Sequence, residues 1–130
     1  MKVLLDTNVF LWAAGIERSL PKKARDIFSD PDIPIYLSTA SSWEIAIKWS
    51  KGKLDLPHRP FKFVESVSRA AGIIKLDIDT EDSCAVADLP WNDHKDPFDR
   101  LLVAQAREHN MKLMTADAEL KQYAVELILL

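Results

Sequence analysis

Short apolar runs alternate with stretches of helical periodicity along the whole chain. Lys2 to Leu5 reads as a buried strand, and Val9 to Ala14 opens a helix after the polar turn Asp6-Thr7-Asn8. Pro21 begins a helix that runs through Ala24 and Phe28, since proline is suited to the first helical turn. Pro34 to Leu37 reads as a second strand, followed by a long helix from about Ala40 to Lys51 with Gly52 placed to end it. Pro60 starts a helix with Phe61, Val64, Val67 and Ala71 on its inner side, closed by Gly72. Ile73 to Leu76 is the third strand and Thr80 to Ala87 a short helix. Pro97 opens the most apolar helix of the chain. Met111 to Thr115 and Glu126 to Leu129 supply two further strands around a helix of Ala118 to Tyr123.

Strands that alternate with helices predict an α/β fold of three layers, with a central, mostly parallel sheet of about five strands flanked by helices. No Asn-Gly hairpin signal interrupts this order. The chain has 130 residues, which fits a single domain over 1–130.

Composition narrows the class only slightly. Apolar residues make up 48% and charged residues 28%, an ordinary globular balance. The net charge of −3 argues against a protein that coats nucleic acid, but not against a nuclease that gathers carboxylates around a cation. The single cysteine, Cys84, excludes an internal disulfide and suggests a reducing compartment. The apolar start is broken by Asp6-Thr7-Asn8 and lacks the basic flank of a signal peptide. No run approaches the ~18 apolar residues that span a bilayer. A cytoplasmic protein without membrane contact is the expectation.

Ligands of open parallel sheets bind beyond the carboxyl ends of the strands, so the acidic residues there carry the argument. Asp6 ends the first strand, where it serves equally well as the helix cap or as a functional carboxylate. Glu44 has the capping-box spacing with Ser41 and the favourable i, i+4 spacing with Lys48; alone it leans towards structure. Asp117 follows the strand that contains Leu113 and Met114 and alone is best read as another cap. Asp99 resists such a reading. It shares an i, i+3, i+4, i+7 stripe with Leu102, Val103 and Ala106, while Asp96, before Pro97, is available to cap the helix. A carboxylate directed along an apolar face needs a partner, and a metal ion is a suitable one. Together the four acids would repel one another unless neutralised, and hard divalent cations take such oxygen ligands. Metal-assisted hydrolysis of a phosphodiester is the chemistry that fits.

The segments LLDTNVFLW, SSWEIAIKWSKGKLDLP, HKDPFDRLLVAQA and MTAD, in this order, span Leu4 to Asp117. Through them the chain resembles the PIN-domain ribonucleases, in particular the VapC-like toxins of toxin–antitoxin pairs. The resemblance implies a parallel sheet of about five strands and a carboxylate quartet, Asp6, Glu44, Asp99 and Asp117, that binds Mg²⁺ or Mn²⁺ and cleaves RNA. It implies also homodimerisation and a cognate antitoxin. Asp96 matches the additional acidic position and Asn8 the polar residue after the first aspartate, available to orient water or Asp6. Thr7, Thr115 and His94 are supporting candidates, His94 being read first as a surface histidine. Arg100, adjacent to Asp99, is a candidate for contacting phosphate or balancing the carboxylates. Lys48 and Lys51, with Lys53, Arg59 and Lys62 beyond, form a candidate phosphate track, although lysines also simply favour a helix C-terminus.

Of the four tryptophans, Trp12, Trp43, Trp49 and Trp91, most are expected in or near the core, with one or two left for a partner surface. Three other readings compete. A haloacid-dehalogenase-like phosphohydrolase would want a second aspartate where Asn8 stands. A response-regulator receiver would have to use Asp77 and lacks an evident lysine after a later strand. A PIN fold kept only for binding a partner or RNA is the non-enzymatic alternative; the complete quartet speaks against it.

Overall fold

The computed structural model describes all residues from 1 to 130. Five strands, β1 (Val3–Leu5), β2 (Ile35–Ser38), β3 (Ile74–Leu76), β4 (Lys112–Thr115) and β5 (Leu127–Leu129), form one sheet in the order β3-β2-β1-β4-β5. Every neighbouring pair is parallel. Six α-helices cover it: α1 (Thr7–Ala13), α2 (Lys22–Phe28), α3 (Thr39–Ser50), α4 (Pro60–Ala71), α5 (Thr80–Ala85) and α6 (Pro97–Glu108).

Period-two alternation along the strands divides the core into two layers. Val3 and Leu5 of β1 face a cluster that contains Phe10, Ile45, Phe63 and Met114. Leu4, between them, faces the opposite cluster with Leu102, Val103, Leu113 and Tyr123. The inner strands, buried on both faces, therefore read as unbroken apolar runs rather than alternating ones. The chain leaves β1 first for β2 on one side and later for β4 on the other. The point where strand order reverses thus lies between β1 and β4, and the carboxyl ends of these two strands open a crevice there.

Several expected features differ in detail. The first helix begins at Thr7, not Val9, because Asp6 itself caps it by accepting the Val9 N–H at 2.9 Å. The long third helix begins at Thr39, with Ser38 as its cap. Ser41 and Glu44 therefore lie inside the helix and cannot form a capping box. On α4 the inward aromatic is Phe63, whereas Phe61 is 79% exposed and Ala71 also faces solvent. The apolar stripe is set by Phe63, Val64 and Val67, which pack against the core. Gly72 ends α4 at φ +68°, a left-handed conformation that favours glycine. The segment after β4 is a 3-10 turn, Ala118–Gln122, rather than an α-helix, and the one after α5 closes as a 3-10 turn at Val86–Asp88. No tryptophan is fully buried: Trp12 and Trp49 are half-buried, and Trp43 and Trp91 are 60% and 80% exposed. No helix is long and apolar enough to cross a membrane.

Candidate active site

The β1–β4 crevice gathers the predicted acids. Asp6 follows β1 directly, and its N–H donates to the Met114 carbonyl of β4 at 3.0 Å. Its side chain is buried and held at both oxygens. Oδ1 accepts from the Val9 N–H and Oδ2 from the Thr115 hydroxyl at 2.5 Å. Capping and site placement are therefore compatible roles for one residue. Thr115 also accepts the Asp117 N–H at 3.0 Å, which bends the chain after β4 so that Asp117 caps the following turn.

Glu44 enters from α3. The Thr7 hydroxyl donates to its Oε1 at 2.6 Å, and the Thr7 and Ser41 hydroxyls lie 3.0 Å apart. Lys48 pairs with Oε2 at 3.0 Å. Asp99 enters from the first turn of α6, while Asp96 performs the capping by accepting from the Phe98 and Asp99 N–H groups. Leu102, Val103 and Ala106 of the same stripe are buried, as the sequence spacing predicts.

The carboxylates lie close enough to affect one another. Burial raises the Asp6 carboxyl above the usual carboxylate range; the Thr115 and Val9 hydrogen bonds oppose this, and the charges of Glu44 and Asp117 add to it. Asp99 is pushed up to about 7, by burial first and by the Asp96 charge next; His94 pulls it down, and Asp6 and Glu44 add further repulsion. Four acids, from the end of β1, the interior of α3, the first turn of α6 and the turn after β4, are thus brought near one another, with one lysine, Lys48, paired among them. An all-oxygen donor set with this excess of negative charge fits a hard divalent cation, and Asp6, Glu44, Asp99 and Asp117 are the residues that could hold it.

Not every predicted neighbour belongs here. Arg100 is buried and turns away from the carboxylates. Its guanidinium donates to the Pro90 carbonyl at 2.9 Å and to the Tyr123 hydroxyl at 3.2 Å, and it stacks 4.3 Å from the Trp91 ring. Its position next to Asp99 in sequence misleads because successive helical residues project about 100° apart. Asn8 is exposed, and Asp6 is oriented by Thr115 and Val9 instead. Lys51 is exposed at the end of α3, one turn beyond Lys48, and Arg59 stacks over Trp49 at 5.1 Å. The expected lysine track thus reaches the carboxylates only at Lys48.

His94 is a buried histidine, contrary to its reading as a surface residue. Its Nε2 lies 3.2 Å from Asp99 Oδ2 and 3.8 Å from Asp117 Oδ2, and its Nδ1 is 3.0 Å from the Tyr123 hydroxyl. Tyr123 was not among the sequence candidates, and no local signal marks it: it meets His94 across 29 residues. On the rim, Trp43 and Phe98, the neighbours in sequence of Glu44 and Asp99, pack edge to face with centroids 5.3 Å apart. Asp77, the residue a receiver would need, is exposed after edge strand β3 and lies 3.6 Å from Lys75.

The PIN-domain family model matches residues 3–126. The chain belongs to the PIN-domain family. Among solved structures, VapBC2 from Rickettsia felis, bound to a promoter DNA fragment, is similar with a TM-score of 0.68 at 15% identity, over 98% of this chain and 97% of that one. VapBC-1 from nontypeable Haemophilus influenzae gives 0.68 at 16%, over 99% and 98%. FitAcB from Neisseria gonorrhoeae gives 0.63 at 19%, over 96% and 95%. At these identities the likeness is one of fold. No curated protein matches the chain by sequence. The membership decides against the haloacid-dehalogenase and receiver alternatives and fits a PIN sheet in which Asp6 stands at the switch point.

Proposed function

We propose that this PIN domain is a metal-dependent endoribonuclease and the toxin of a toxin–antitoxin pair. One observation carries the reading. Asp6, Glu44, Asp99 and Asp117, far apart in sequence, meet at the switch point of the sheet, and two of their carboxyls are held above the ordinary range. Such a cluster is costly without a cation, and a structural role alone supplies no reason to assemble it.

In this reading the four carboxylates hold Mg²⁺ or Mn²⁺. The cation, when bound, polarises a phosphodiester and makes water a better nucleophile near neutral pH. The remaining work falls to the protein. Thr115 and the Val9 N–H fix Asp6, Thr7 fixes Glu44, and Lys48 partly balances the charge of Glu44. The likeness in fold to chains of VapBC and FitAcB assemblies supports a protein antitoxin as inhibitor; a second copy of the chain as partner and a cytoplasmic setting belong to the same proposal.

The test is cleavage of total cellular RNA by the purified protein beside Asp6→Asn, which keeps the helix cap. Loss of cleavage in the variant is expected, and undiminished cleavage would overturn the proposal.

A further inference from the structure

Three of the four tryptophans carry an arginine guanidinium over the ring: Arg18 over Trp12 at 4.4 Å, Arg59 over Trp49 at 5.1 Å and Arg100 over Trp91 at 4.3 Å. A cation is a favourable partner for the face of an indole. Trp43 has no such cover. It is 60% exposed, and its aromatic neighbour is Phe98, packed edge to face at 5.3 Å. A single exposed apolar side chain is ordinary by itself. Its surroundings set Trp43 apart.

Trp43 precedes Glu44 on α3 and Phe98 precedes Asp99 on α6, so the aromatic pair stands on the rim between two of the carboxylates. Trp43 also lines a cleft of about 510 Å³ between α3, α4 and the edge formed by β2 and β3. That volume lies within the ~300–1,000 Å³ of small-molecule sites. Phe61, 79% exposed on α4, lines the same cleft. Its charged lining is Arg69 and Lys75 against one acid, Glu65, with the Ser42 hydroxyl beside them. In a chain of net charge −3, this cleft next to the acidic site is cationic on balance.

We propose that the cleft between α3 and α4 is a nucleobase subsite for the RNA substrate, with Trp43 as its stacking platform and Phe61 as its outer wall. Aromatic rings beside cations suit this ligand: the rings stack on a base of any sequence, and the cations meet the backbone phosphates. Phe98 fixes the Trp43 ring in advance, so little freedom is lost when a base settles on it. In a duplex each base is already stacked and paired, so the subsite takes an unpaired base. The inference rests on the reading of the carboxylates as an RNA-cleaving site and adds how the strand beside the scissile bond is gripped.

The experiment measures RNA binding in Mn²⁺ by fluorescence anisotropy, on the full chain carrying Asp6→Asn to suppress cleavage. The probes are a short labelled single-stranded RNA of mixed sequence and the corresponding duplex. The single strand should bind more tightly than the duplex. Adding Trp43→Leu should weaken single-strand binding about fivefold or more, the usual effect of losing one stacked base, and Trp43→Phe should retain most of the affinity. Phe61→Ser, at a ring already exposed, should fold normally and also weaken the single strand. Trp43→Leu in the otherwise unaltered chain should bind Mn²⁺ as wild type does, which separates a substrate contact from a prop for Glu44. Equal binding of single strand and duplex, or unchanged single-strand binding in Trp43→Leu and Phe61→Ser, overturns the subsite, leaves the cleft to a protein partner and leaves the nuclease reading standing. A fall in Mn²⁺ affinity equal to the fall in RNA affinity makes Trp43 a structural support and overturns the subsite too. Cleavage by Asp6→Asn, or no binding of either RNA, overturns the nuclease reading as well.

Discussion

Thr7 and Glu44 are joined by a 2.6 Å hydrogen bond that spans 37 residues of sequence and ties the start of α1 to α3. The bond carries the Glu44 carboxylate towards Asp6, which stands one residue before Thr7. Carboxylates otherwise driven apart by their charges are thus held together by neutral hydroxyls: Thr7 for Glu44 and Thr115 for Asp6.

Thr7→Val should release Glu44 while keeping the shape of the buried residue. Mn²⁺ affinity, measured by calorimetry, should fall about tenfold, as for other groups that orient a ligand. The helix itself should persist, because Asp6 supplies the cap. Mn²⁺ binding equal to wild type would remove Thr7 from the site.

Asp99 gives the metal-free protein a characteristic dependence on pH. Its folded carboxyl sits at about 7, above the 3.8 of an ordinary aspartate, so between these values the folded state binds more protons than the unfolded one. The stability it contributes is complete below about pH 4 and is lost as pH rises through 7. In EDTA the wild type should melt several degrees lower at pH 8 than at pH 5. Asp99→Asn should flatten that slope and be the more stable protein at pH 8, by about 1–2 kcal/mol after allowance for solvent screening. Addition of Mn²⁺ should reverse the order. A wild-type melting temperature that rises from pH 5 to pH 8 in EDTA, unlike that of Asp99→Asn, would contradict the raised carboxyl.

Asp82 works in the opposite sense and at a structural site. It is buried, and burial alone would raise its carboxyl. Hydrogen bonds from the Gln105 amide, the Asp79 N–H and His109 outweigh that and hold it below the usual range. Its stability is present above about pH 4 and is lost as pH falls through the depressed folded value. Asp82→Ala should cost about 2–3 kcal/mol at pH 7, by breaking the capping box of α5 and stranding the Gln105 amide. RNA cleavage per folded molecule should be unchanged, since Asp82 lies outside the carboxylate cluster. Urea denaturation at pH 7 and at pH 3 measures both effects; an equal cost at the two values would refute the depressed carboxyl.

Much of the site was legible because it is written in helix and strand periodicity. Asp99 stood out as the one acid at the head of the stripe Leu102, Val103 and Ala106, and all three are buried. Asp6 and Asp117 were legible as strand-end acids, and the capping reading was correct for both without excluding membership of the cluster. Glu44 was misread as a capping-box partner of Ser41 because helix boundaries from sequence are uncertain by a residue or two; Ser38 proved to be the cap. His94 and Arg100 were not legible. The environment of each is set by Tyr123, which arrives from a distant segment, and no local spacing encodes such a meeting. The exposure of Phe61 in place of Phe63 has the same origin: both positions are aromatic, and only the packing of α4 decides between them.

The central claim is that the carboxylate cluster cleaves RNA through a divalent cation. Its most direct test is cleavage by one preparation of wild-type protein in EDTA, followed by replacement of the cation, with Asp6→Asn and Asp99→Asn treated alike. Cleavage should be absent in EDTA and return on addition of Mn²⁺ or Mg²⁺, and each variant should be slowed by about a hundredfold or more, as expected when a cation loses a principal ligand. Cleavage that continues at full rate in EDTA, or that both variants retain, would contradict the account.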